Sequence, residues 1–120
     1  MVSVIGFTSL ALDPEKQARL LSALNEAGQS VFPGQFRFLL RPFDPRFCST
    51  NAQGLINCIA AIPASTTMDE KRRLSAALHE TTVSVLGDAN RERVTILFWN
   101  HEPNAFAVDG TLCSAAGRKG

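Results

Sequence analysis

The sequence is short of nearly everything that would announce a chemistry. Its three cysteines, Cys48, Cys58 and Cys113, are odd in number and widely spaced, which argues against a disulfide framework and against a C-x-x-C metal site. They read instead as buried or half-buried thiols in a reducing compartment. The two histidines, His79 and His101, stand far apart, so no zinc ligand set is visible and no metal is expected. Twelve Lys+Arg against eleven Asp+Glu leave a net charge of +1. That balance lacks the concentrated positive charge that nucleic acid or an anionic membrane surface requires, and neither partner is expected. No apolar stretch approaches the ~18 residues of a membrane span, and no basic–apolar–small-residue signal stands ahead of Val2. The expected location is cytoplasmic. What is present, 120 residues of which 45% are apolar and 19% charged, suits one soluble domain.

The chain opens on MVSVIGF, a β-branched run that Gly6 interrupts. Such a beginning is either the edge of a sheet or a residue that needs a fixed address, since first residues are loose unless a contact holds them. DPEKQARLLSALNEAG then reads as a helix. Asp13 suits the N-cap, Pro14 the first turn, and Glu15 the positive end of the dipole. Leu20, Leu21, Leu24 and Ala27 make its apolar stripe, and Gly28 is the expected stop. FRFLLRPF alternates as a strand, with Phe36, Phe38 and Leu40 on one side and Arg37, Leu39 and Arg41 on the other; Pro42 and Pro45 end it.

After the turn-rich RFCSTNAQG the pattern starts again. LINCIAAI is an apolar strand whose weak alternation predicts burial on both faces. Thr67 and Glu70 form a capping-box sequence, followed by a helix that buries Leu74, Ala77, Leu78 and Val85 and stops at Leu86-Gly87. RVTILFW closes the sheet. Leu20 and Leu24 fall on Leu74 and Leu78 at an offset of 54, which also carries Val2 onto Ile56; the second strands match, Phe36 on Val94, at 58. The second helix or its loop is therefore expected to be about one turn longer. The expected boundaries are repeat one 2–46, a connection 47–54, repeat two 55–112 and a small-residue tail 113–120. The fold class is α+β: a β-α-β unit used twice, giving a four-stranded mixed sheet with two helices on one face. A ferredoxin-like split β-α-β module shares this element order.

The second half carries a resemblance. DEKRRLSAALHETTVSVLG, then RVTILFW, then NAFAVDG resembles the tautomerase superfamily, which includes 4-oxalocrotonate tautomerase and macrophage migration inhibitory factor. Phe106 and Gly110 stand where that family carries its aromatic residue and last turn glycine. The layout, with Phe32-Pro33 ahead of the second strand, is also similar to 5-carboxymethyl-2-hydroxymuconate isomerase. The resemblance implies a homotrimer with sheets facing the axis, a small keto or enol carboxylate as ligand, and no cofactor.

It further implies an amino-terminal proline as catalytic base, and here the matching residue is Val2. Removal of Met1 would leave a primary α-amine, which ordinarily titrates at about 7.7–8.0. Arg37 matches a substrate-binding arginine, and Arg41 lies on the same strand face. Phe106 is the expected pocket wall. The family's loop arginine is matched by Leu12 in repeat one and Thr66 in repeat two, a departure from the pattern. The implied function is a cofactor-independent tautomerase or isomerase with an altered or vestigial site, because Val2 replaces the proline. The alternatives are a non-catalytic trimeric binding or assembly module on the same scaffold, or a ferredoxin-like small-ligand domain.

Overall fold

Val2–Thr8 forms strand β1, followed by helix α1 (Pro14–Val31) and strand β2 (Phe36–Pro42). Strand β3 (Leu55–Pro63), helix α2 (Met68–Leu86) and strand β4 (Arg93–His101) repeat the unit, and a small hairpin of β5 (Ala107–Val108) and β6 (Thr111–Leu112) follows. The structure, a computed structural model, describes residues 1–49, 55–87 and 93–112. Cys113 and the small-residue tail lie outside the described residues, as does most of the 47–54 connection.

The sheet order is β2-β1-β3-β4, with β1 parallel to β2, antiparallel to β3, and β3 parallel to β4. β1 is thus an interior strand and not a sheet edge. Both offsets appear in the register: Val2 pairs with Phe36 as Ile56 pairs with Val94. Ile5 lies opposite Ile59, its own counterpart at an offset of 54, so a pseudo-two-fold axis passes between them. The helices run 18 and 19 residues, so most of the extra length sits in the connection after α2 and not in the helix.

One face of the sheet packs on the helices. Val2, Val4, Phe36, Ile56, Cys58, Ala60 and Ile62 meet Leu20, Leu24, Leu74, Leu78 and Leu86 in a single core. The capping signals hold: Asp13 accepts from the Lys16 N–H, and Thr67 and Glu70 form a reciprocal box. Gly87 closes α2 at φ 93°, a conformation glycine adopts without strain.

Gly28 does not stop α1, which continues to Val31 with Phe32 at its cap. It is buried within the helix because the Phe36 ring lies against its backbone, where a Cβ would overlap ring carbons. Gly6 plays a similar part in β1, which runs unbroken through it while the Phe38 ring covers the space of the missing side chain. Gly28→Ala is expected to lower stability by about 1–3 kcal/mol through overpacking, measured by urea unfolding, with partial recovery when Phe36→Leu is added.

The opposite face is open in the single chain. Three rows cross it: Arg37-Ser3-Ala61-Trp99, Leu39-Ile5-Ile59-Leu97, and Arg41-Phe7-Asn57-Thr95. Ile5, Phe7, Leu39, Ile59, Leu97 and Trp99 are all exposed, Leu97 and Trp99 by 64% and 66%. β3 is therefore buried on one face only within the chain, contrary to the two-sided burial its sequence predicts.

Candidate functional site

The residue at position 2 is fixed by the turn before β2. Phe32 caps α1, the Gln35 N–H donates to the Phe32 carbonyl (3.0 Å), and Gly34 takes φ 70°. The Gln29 side chain braces the same turn, accepting from the Gly34 N–H at 2.8 Å and donating to the Phe36 carbonyl at 2.6 Å. This arrangement aims the Gln35 carbonyl at the Val2 nitrogen, which donates to it at 2.6 Å. The Val2 side chain is buried in the core, so only its backbone end faces outward.

Val2 borders a cleft of about 360 Å³ lined by Met1, Val2, Phe32, Gln35, Pro63, Ser65, Thr66 and Glu70. Its far wall is the β3–α2 turn, where the Thr66 N–H donates to the Pro63 carbonyl at 2.9 Å. Glu70 reaches the cleft with one carboxylate oxygen engaged by the Thr67 N–H and hydroxyl, at 2.9 and 3.1 Å. Among the described lining residues Glu70 is the charged side chain, and it is an acid. Thr66, at the position matching the family's loop arginine, lies in this cleft; Leu12, its counterpart in repeat one, instead packs against the core.

The other sequence-predicted residues divide. Arg37 sits one position past the residue paired with Val2 and donates through Nε to the Ser3 hydroxyl at 2.7 Å on the open face. Its counterpart Thr95 makes the matching bond to Asn57, also at 2.7 Å. Arg41 pairs with Phe7, five positions along the strand, so it stands about 16 Å from Val2 within one chain. There it lines a shallow hollow with Phe7, Pro42, Phe43 and Phe47. Phe106 is not in the Val2 cleft. The Pro103–Ala105 turn folds it back onto His101, with the rings stacked at 5.2 Å and 14°. Asp109 and Gly110 then turn the terminal hairpin with φ of 52° and 83°, the pair of positive φ values a tight two-residue loop demands.

Sequence reasoning gave Glu70 only a capping role and missed its place in the cleft; the signal was present, since the box sits directly after β3. Burial pushes the Cys58 thiol up to about 12, which makes it an inert core thiol and not a nucleophile. No described helix is long and apolar enough to cross a membrane.

Two pseudo-symmetric β-α-β units, joined into one mixed sheet with a cleft at the start of β1, define the tautomerase-type class of α+β folds. The Tautomerase family, described as tautomerase enzyme, matches residues 56–116, and the chain belongs to that family. The match begins at Ile56, the repeat counterpart of Val2. Among solved structures, a native fused 4-OT is 25% identical, with 97% of this chain and 99% of that one covered and a TM-score of 0.80. A fused 4-OT solved as a symmetric trimer is 19% identical over the same shares, with a TM-score of 0.82. A malonate semialdehyde decarboxylase inhibited by 3-bromopropiolate is 16% identical over 95% of each chain, with a TM-score of 0.76. The last two likenesses bear on the fold alone. No curated protein matches the sequence significantly.

Proposed function

We propose that this chain is a cofactor-independent keto–enol tautomerase of a small carboxylate, with an altered site in which the Val2 amine replaces the family's proline. The observation that supports it most is the place of Val2 at the border of a cleft, with its nitrogen fixed 2.6 Å from the Gln35 carbonyl. Removal of Met1 frees that nitrogen as an amine able to take a proton from carbon beside a carbonyl and return it elsewhere. The surroundings hold it protonated near neutral pH, so little free amine is available. The Gln35 carbonyl accepts from the ammonium, and the Glu70 carboxylate lies in the same cleft; both favour the charged form. Activity should therefore rise with pH above neutrality as the ammonium loses its proton.

Anion binding falls to Arg37 and Arg41, whose forked guanidinium groups suit a carboxylate. Arg41 is too far from Val2 within one chain, so it serves the site of a neighbouring copy in a homotrimer. The exposed Leu39-Ile5-Ile59-Leu97 row supports that assembly, because an apolar face of this kind is normally covered. A non-catalytic trimer is the second reading, favoured by the threonine at position 66.

The test is mass spectrometry of the amino terminus together with ultraviolet ketonisation of phenylenolpyruvate and 2-hydroxymuconate from pH 6 to pH 10 (about the range that titrates an α-amine). A processed terminus and a rate that climbs with pH support the tautomerase. Retained methionine, or no rate above buffer, removes it in favour of the non-catalytic module.

A further inference from the structure

The hollow at the end of β2 has a volume of about 340 Å³ and is lined by Phe7, Arg41, Pro42, Phe43 and Phe47. Its walls are tied down by backbone bonds. The Phe43 N–H donates to the Thr8 carbonyl at 2.9 Å, and the Phe47 N–H donates to the Asp44 carbonyl at 2.9 Å. The Asp44 carboxylate caps that turn by accepting from the Arg46 N–H, and Pro42 and Pro45 restrict the backbone on either side of Phe43. Phe47 is nonetheless 79% exposed and Phe7 38%, so a built turn presents aromatic rings to the hollow. The charges at this corner are unevenly used. Arg46 donates to the Asp44 carboxylate through Nε and Nη2, at 3.1 and 2.8 Å, so those two charges offset each other. The Arg41 guanidinium has no hydrogen-bond or ion-pair partner among the described residues, and no acid lines the hollow. At the repeat offsets of 58 and 54, Arg41 and Phe7 fall on Trp99 and Ala61, so the internal repeat does not account for this pair.

We infer that this hollow binds a small aromatic monocarboxylate, with the carboxylate on Arg41 and the ring among Phe7, Phe43 and Phe47. A guanidinium offers a carboxylate two parallel N–H donors. Phenylalanine rings favour an aromatic guest through offset or edge-to-face contact beyond what its area alone provides. Because the turn is already folded, little ordering is left to oppose binding. A second carboxylate on the ligand would find no free cation, since Arg46 is held by Asp44. The inference rests on the tautomerase reading where it names a substrate. Arg41 is there given to the Val2 cleft of a neighbouring copy, and the hollow then selects an aryl-substituted enol acid over an aliphatic diacid. The binding step itself needs no turnover.

The experiment uses the full ¹⁵N-labelled chain, titrated with 3-phenylpropionate as a non-reacting probe. Butyrate is the control lacking the ring, and 3-phenyl-1-propanol the control lacking the charge. The expected result is a saturable shift of the Phe43 and Phe47 amides with 3-phenylpropionate, and binding about tenfold weaker with either control. Arg41→Gln and Phe47→Ala replace exposed side chains, so the helical signal should be kept while each weakens the probe about tenfold. Phe47→Ala should also lower the ratio of kcat/KM for phenylenolpyruvate to that for 2-hydroxymuconate about tenfold. Silent Phe43 and Phe47 amides, or a control that binds as tightly as the probe, overturn the inference. Turnover with silent amides defeats this inference and leaves the tautomerase standing. Saturable shifts without turnover support it and remove the tautomerase.

Discussion

Val2→Pro combined with Thr66→Arg is expected to convert a weak site into an efficient one. Proline restores a secondary amine on a rigid ring at the position the Gln35 carbonyl fixes. It also leaves two N–H protons on the ammonium where the primary ammonium of valine has three. A matched acid–base group contributes about 10²–10⁴ in rate, and the single Val2→Pro change should recover the lower part of that range. Arginine at position 66 enters the same cleft from the opposite wall. There it offsets the Glu70 charge, lowers the amine's preference for protonation and supplies a fork for the substrate carboxylate. A positioned donor of this kind contributes about 10²–10³. The double variant should gain more than either single change, with its pH profile moved toward neutrality. Ketonisation of 2-hydroxymuconate, followed as kcat/KM against pH, measures both effects. Three variants no faster than the parent, each with a processed amino terminus, would show that this cleft is not where the chemistry occurs.

Ile59→Asp is expected to turn the proposed homotrimer into monomers without unfolding them. Ile59 stands beside the pseudo-two-fold axis in the all-aliphatic row Leu39-Ile5-Ile59-Leu97 and is 37% exposed in the single chain. A carboxylate there is hydrated in the monomer, yet lies in the middle of any interface that covers the row. Burying an unpaired charge costs several kcal/mol per site, and a closed trimer would bury three. Light scattering should report three times the 13.0 kDa chain mass for the parent and a single chain mass for the variant. The helical signal should be unchanged, because the core lies on the other face of the sheet. If Arg41 serves a neighbouring copy, turnover falls together with the mass. A variant that stays trimeric places the interface elsewhere, and a monomeric parent leaves the apolar row without the role given to it.

The repeat was legible because it is written in short-range signals. Asp13-Pro14 and the Thr67…Glu70 box mark helix starts by local hydrogen bonding, and Leu20/Leu24 and Leu74/Leu78 mark the buried stripes by helical period. The register then had little freedom, since a slip of one residue would turn Val2 and Val4 away from the core. The stop at Gly28 was misread for the converse reason. Its burial depends on the Phe36 ring, which arrives only after the chain has turned and started β2.

The site shows the same division. Sequence alone determined the order of the elements, the two offsets, the outward place of Arg37 and Arg41, and the position of residue 2 at the head of β1. Each follows from spacing along the chain. Only the tertiary structure decided what stands around the Val2 nitrogen: the Gln35 carbonyl from one turn, and Thr66 and Glu70 from another more than thirty positions away. It also separated Arg41 from Val2 and placed Phe106 on His101 instead of in the cleft. Residues from distant stretches meet only after an antiparallel β1–β3 pairing brings the end of β3 against the start of β1, and no local pattern encodes that encounter.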